Sequence, residues 1–332
     1  MRLKQLYAVF FLTVAYAGTL IAQEKNIEKN PFEVSIRAHY GFLAYHHNEM
    51  RILQQRHLSA LEIAITHQPK ESEQWAKWYG YPELGVVFMH FDLGSPTYLG
   101  QAFCIMPSFN FTLSGRGSKS TFFFRMAPGI GYVTKTFDRV TNYKNIGIST
   151  HINAAINFLG EYRCTISNQV NIKVGLALSH LSNGSFKKPN AGLNMPTMYI
   201  GVGYRFQSSS TSHSKFNPDS LNINRRLYTL VGIGGAKQDN PIGSKRYPVW
   251  GISGEVTWPS RPFQRFGIGL DLMHDGSNKE NLKSEGIPVH ADIDVTRIGA
   301  NIRYEFQVGR ASINLGIGPY IYRLDKTGGP VY

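Results

Sequence analysis

The sequence predicts an all-β fold: an antiparallel transmembrane β-barrel of the outer-membrane type, with about 12–14 strands. Three observations carry this. Segments of about ten residues alternate apolar side chains with polar or small ones, the period-two mark of a strand. These segments follow a secretory leader. Their polar positions are mostly Gly, Asn and Ser, whereas the outer face of a soluble sandwich carries many charges.

In chain order, residues 1–22 carry Arg2 and Lys4, then an apolar run from Leu6, then small residues. That is a signal peptide, with cleavage after Ala17 or Ala22. The rest divides into 23–207, a Ser-rich connection over 208–225, and additional barrel strands over 226–332. Thirteen strands are read near 32–44, 57–67, 83–93, 97–113, 119–134, 148–165, 168–181, 196–207, 226–236, 246–258, 263–274, 292–307 and 310–323. In 301–306, for example, Ile302, Tyr304 and Phe306 oppose Asn301, Arg303 and Glu305. Bacterial barrels have short periplasmic turns and long outer loops. From 148 onward the connections mostly follow that rule, which puts the long 182–195 connection outside. Earlier they do not: 68–82 is long where a turn belongs and 94–97 short where a loop belongs, which leaves two readings, one early strand misassigned or a small helix around Trp75 and Trp78 within 68–82.

The formal charge is +13, from 35 Lys+Arg against 22 Asp+Glu, and loss of Arg2 and Lys4 with the leader leaves +11. A basic exported chain suits an anionic lipid or a phosphorylated glycolipid, and export argues against nucleic acid. Cys104 and Cys164 sit in separate apolar segments without metal spacing and read as packing residues, a disulfide between them remaining open.

The stretch 168–196 carries the chemistry. Val170, Ile172, Val174, Leu176 and Leu178 form one apolar ladder, and His180 and Ser182 end it on the same face. An imidazole and a hydroxyl two residues apart on one strand face make the minimal base and nucleophile pair. The bland alternative is that the strand has left the apolar zone and both residues are solvated.

At His180-Leu181-Ser182-Asn183, followed by Lys188-Pro189-Asn190-Ala191-Gly192, the chain resembles the PagL-type lipid A 3-O-deacylases, outer-membrane hydrolases with a His-x-Ser-Asn and a Pro-Asn-x-Gly motif. Gly129-Ile130-Gly131-Tyr132-Val133 is similar to family sequence as well. The resemblance covers roughly 32–207, for which it implies the family's usual eight strands, and it does not cover 226–332, so the chain resembles an enlarged relative. It implies ester hydrolysis on lipid A in the outer leaflet, without metal or cofactor, with Ser182 as nucleophile, His180 as general base and Asn183 holding the oxyanion. The family's acid, a Glu, falls on Asn194, which can orient an imidazole but cannot offset its charge. Glu161 is a candidate substitute. Lys187, Lys188 and Asn190 are expected to meet substrate, the lysines through its phosphates. The alternative is a non-catalytic barrel, a channel or an assembly protein, that keeps a degenerate motif.

Three further constellations are weaker. His274-Asp275-Gly276-Ser277-Asn278 echoes the motif, but Ser277 is three positions from His274 and off its face. His46-His47 reads as solvated loop histidine. Gly232, Gly234 and Gly235 follow a strand without opening a helix, so no dinucleotide site is implied.

Overall fold

The computed structural model describes residues 32–70, 72–114, 118–206, 226–239, 241–309, 311–324 and 331–332. The expected leader and the 208–225 connection lie outside the described residues. The chain divides into two compact units, each considered by itself: 32–183 with 189–206, and 184–188 with 226–332.

In the first unit, eight strands close into an antiparallel barrel. They are β1 (Phe32–Gly41), β2 (Leu58–His67), β3 (Glu83–Ser95), β4 (Gly100–Ser114), β5 (Ser120–Val133), β6 (Ile152–Thr165), β7 (Val170–Ser182) and β8 (Leu193–Arg205). Closure runs through β1 and β8, in register from Glu33 opposite Arg205 to Gly41 opposite Thr197. A closed sheet leaves no unpaired edge in lipid.

Strand parity sets the two faces. Ile36, Leu61, Ile63, Ile65, Phe88, Ile105 and Leu176 point outward and are exposed. Aromatic pairs ring both ends of this apolar band: Phe32 on Phe206 and Phe122 on Tyr162 at one end, Tyr40 on His57 and Tyr132 on His151 at the other. This is the girdle pattern of a membrane barrel. The inward face is filled, as expected when eight strands leave room only for side chains. One half holds Glu33, Glu62, Glu83 and Glu161 against Arg37, Arg125, Arg163 and Lys173, all buried. Glu62 takes both Arg37 and Arg125 at 2.6 Å, and Arg163 bridges Glu83 at 2.6 Å to Glu161 at 2.9 Å. Four carboxylates meet four cations, so no buried charge is left uncompensated. The other half is apolar, with Phe91, Met106, Leu181 and Met195 packed under loop residues Leu43, Met50, Leu53 and Ile148.

Connections at this apolar end are 42–57, 96–99, 134–151 and 183–192; those at the other end are 68–82, 115–119 and 166–169. The long 68–82 connection does contain a one-turn helix, α1 (Gln74–Trp78).

The second unit is a separate six-stranded sheet of β9 (Leu227–Gln238), β10 (Arg246–Arg261), β11 (Gln264–Asp275), β12 (Thr296–Val308), β13 (Ala311–Ile317) and β14 (Tyr320–Tyr322), with α2 (Asn278–Ser284) between β11 and β12. Among the described residues the strand total of 14 lies within the expected range, and eight of those strands form the closed barrel. The segment read as one strand over 310–323 divides at Gly318 and Pro319. A proline cannot donate to a ladder, and beyond this interruption β14 resumes pairing along the same partner, β12, with a register irregularity at Ile298 and Gly299. Cys104 and Cys164 are both free thiols.

Candidate active site

The turn before β7 is fixed by Ser167, whose hydroxyl accepts from the backbone N–H groups of Gln169 and Val170. From there β7 alternates without a bulge, pairing Ile172 to Cys164 and His180 to Ile156 on β6, and His180 to Asn194 on β8. Asn171, Lys173, Ala177, Ser179 and Leu181 are buried inside the barrel, while Ile172, Val174, Leu176 and Leu178 are exposed outside. His180 and Ser182 share the outer parity and are half-buried.

Two neighbouring rows of outward residues build the site. One runs Pro128, Ile156, His180, Asn194 and Ala44; the next runs Ile130, Ala154 and Ser182. Tyr132 stands one pair beyond Ile130, so these rows lie just inside the aromatic ring at this end. The ground beside the imidazole and hydroxyl is apolar, with Ile130 58% exposed, and can receive a hydrocarbon chain.

His180 Nδ1 lies 2.7 Å from Asn194 Oδ1. An amide oxygen only accepts, so Nδ1 carries the proton and Nε2 keeps its lone pair, the state a general base needs. Behind the ring stands Gly192, with φ +83°; a Cβ there would lie 2.8 Å from His180 Cε1. Glycine is required both for the left-handed backbone and for the room the imidazole occupies.

Asn190 holds the hydroxyl. Its Oδ1 accepts the backbone N–H of Asn183 at 3.1 Å, which fixes the amide orientation. Its Nδ2 therefore donates to Ser182 Oγ, at 2.9 Å. The oxygen thus accepts a hydrogen bond from the Asn190 amide.

Asn183 departs from the oxyanion role expected of it. By parity it follows Leu181 on the inner face, it is buried, and its Nδ2 donates to Ser149 Oγ and Thr150 Oγ1 at 3.1 Å each. Its side chain braces the 134–151 loop. Glu161 is not a substitute acid either: it is sealed inside the barrel between Arg37, Arg163 and Lys173, on the face opposite His180. Lys187 is exposed and Lys188 half-buried, in the 184–188 segment that groups with the second unit. His46, expected to be solvated, is exposed but has a partner: its Nδ1 is 3.4 Å from Asn194 Nδ2. No motif could reveal that contact, since 148 residues separate the two positions.

The echo at His274 is no second site. His274 stacks on Trp250 and its Nδ1 is 3.4 Å from Thr296 Oγ1. Ser277 is buried and its hydroxyl lies 2.7 Å from an Asp275 carboxylate oxygen and 3.1 Å from one of Asp239, within reach to donate to either, which ties a loop before α2.

Two family models match the chain. Residues 60–203 match the lipid A 3-O-deacylase (PagL) model, and residues 226–332 match the acyloxyacyl hydrolase C-terminal domain. No curated protein matches. Among solved structures, the chain is similar to Neisserial surface protein A at 10% identity and a TM-score of 0.37, covering 53% of this chain and 97% of that one. It is similar to the outer membrane enzyme PagL at 13% identity and a TM-score of 0.34, covering 50% and 97%. The Yersinia pestis outer membrane protein Ail matches at 9% identity and a TM-score of 0.29, covering 52% and 99%. Residues 60–203 and 226–332 are thus similar to these two families, and the chain carries a closed antiparallel barrel of the bacterial outer-membrane type.

Proposed function

We propose that this protein removes an acyl chain from lipid A in the outer leaflet, with Ser182 as nucleophile, His180 as general base and Asn194 as the third member of the site. The observation that carries the reading is the His180 Nδ1 to Asn194 Oδ1 contact at 2.7 Å, on the outward face that also bears Ser182. The ester of an amphiphile lies at the level where acyl chains begin, and the two rows lie just inside an aromatic ring.

The steps follow from the donors and acceptors. The Ser182 hydroxyl gives its proton to His180 Nε2 as Oγ bonds to the ester carbonyl carbon. The carbonyl oxygen becomes an oxyanion, and the Asn190 Nδ2–H beside Oγ is the side-chain donor positioned to meet it. Collapse breaks the carbon–oxygen bond to the sugar, and the imidazolium protonates the departing alcohol. Water, deprotonated by His180, then releases the fatty acid and restores Ser182. Asn194 keeps the Nδ1–H tautomer throughout but lends no negative charge, so this site runs slower than one with a carboxylate there. Lys187 and Lys188 are proposed to bind lipid A phosphates, through charge-assisted hydrogen bonds.

The filled interior favours this reading over a channel, because ion pairs and apolar side chains among the described residues occupy the two halves of the barrel lumen. The test is mass spectrometry of lipid A from cells carrying the wild type, Ser182→Ala, or no copy. Loss of one hydroxyacyl chain in the wild type alone supports the reading. Identical lipid A in all three rejects it in favour of a non-catalytic barrel.

A further inference from the structure

We propose that His46 is a positioning residue: it sets the orientation of the Asn194 amide and so keeps the His180 imidazole in its basic tautomer. The proposal rests on the reading of His180 as general base. The loop that carries His46 is tied to β8 at the residue in question. Ala44 and Asn194 form an antiparallel bridge, and the Ala44 N–H donates to the Asn194 carbonyl at 2.8 Å. Leu43 and Met50, on either side, are buried in the apolar plug of the barrel. The His46 ring also packs on His47, with centroids 4.5 Å apart. Asn194 therefore lies between two imidazoles, with Oδ1 2.7 Å from His180 Nδ1 and Nδ2 3.4 Å from His46 Nδ1.

An amide has one accepting end and one donating end, whereas both oxygens of a carboxylate accept. With a glutamate at this position, either orientation would hold the proton on Nδ1. With Asn194 a half-turn of the amide would present NH2 to His180, draw out the Nδ1 lone pair and put the proton on Nε2. That imidazole cannot take the Ser182 proton. An exposed neutral histidine in water prefers its proton on Nε2, which leaves Nδ1 as an acceptor. His46 in that state accepts from Asn194 Nδ2 and opposes the half-turn. The asparagine thus creates a need for a second residue, and His46 meets it.

The test uses the full-length protein in lipid nanodiscs, with long-range proton–nitrogen NMR of the histidine rings and with kcat and KM on lipid A. His46→Ala should move His180 toward the Nε2–H tautomer. It should lower kcat about fivefold, in line with the competent fraction left, with KM nearly unchanged. His46→Gln, which returns an acceptor, should restore both. In an Asn194→Glu background, His46→Ala should change neither. An unchanged His180 tautomer in His46→Ala overturns the proposal, and so does an equal fall in kcat in the Asn194→Glu background. Ser182→Ala in the same series tests the hydrolase reading separately, and the tautomer readout stands or falls without it.

Discussion

The eight-stranded barrel and the six-stranded sheet are built from one pattern and end differently. Both put aliphatic and aromatic side chains on one face: Ile63, Phe88 and Leu176 on the barrel wall, Leu230, Ile268, Leu270 and Ile302 on the sheet. Both keep ion pairs on the other: Glu62 with Arg37 and Arg125 in the barrel, Arg303 with Glu255 and Asp271 at 2.9 Å each in the sheet. Alternation thus decides which way side chains point, and not whether a sheet closes. β8 offers β1 a full ladder from Glu33 to Gly41, whereas among the described residues of the sheet β9 pairs with β10 alone and β13 and β14 pair with β12. The histidines repeat the lesson. His180 and His274 both end an apolar ladder, but only His180 has an amide acceptor across the strand and a serine at its own parity.

The largest expected effect separates those two histidines. His180→Ala should lower lipid A hydrolysis by about a thousandfold or more, the loss usual when a base of this kind is removed. His274→Ala should leave the rate within about twofold, since it touches no reacting atom. Assay of both variants in one membrane preparation sharpens the contrast, and a matched loss would break it. Next is Asn190→Ala, with an expected loss of about 100-fold in kcat for one oxyanion donor. Asn183→Ala should act instead on stability, by releasing the 134–151 loop, which the midpoint of urea unfolding reads.

Much of this was readable because a strand has an exact period of two. The outward placement of His180 and the inward placement of Asn183 both follow from counting along β7, and the parity of Asn183 was the signal against its oxyanion role. The helix at Trp75 was one of two readings that a connection too long for a turn left open, the other being a misassigned strand. Closure at eight strands was implied by the family resemblance over 32–207 and by no local pattern, because β1 meets β8 across more than 150 residues of sequence. Nor were the partners of Glu161, or the contact of His46 with Asn194. These are cross-barrel neighbours that no local spacing encodes.

The two interiors should differ in stability. Glu62→Ala removes the carboxylate that pairs Arg125, while Arg37 keeps Glu161, and a loss of about 3–5 kcal/mol is expected from the buried charge left behind. Asp271→Ala in the more open sheet should lose less, about 1–3 kcal/mol. Heat-dependent gel mobility and urea titration measure both, and an equal loss would mean the two polar faces are equally dry. The smallest effect tests the surroundings of the sheet. Trp250 and Trp258 end its apolar face, about 26 Å apart at strand rise, close to the height of a membrane barrel's apolar band. Brominated lipids should quench both modestly if the sheet lies in the bilayer, as the reading of 226–332 as additional membrane strands expects; no quenching would place that face elsewhere.

The central claim is that Ser182 is a nucleophile made reactive by His180 on the lipid-facing side of β7. An alkyl fluorophosphonate applied to the membrane-embedded protein, followed by peptide mapping, tests it most directly. The label should sit on Ser182 and disappear in His180→Ala. A label on another residue, or none on a preparation that still deacylates lipid A, would contradict the account.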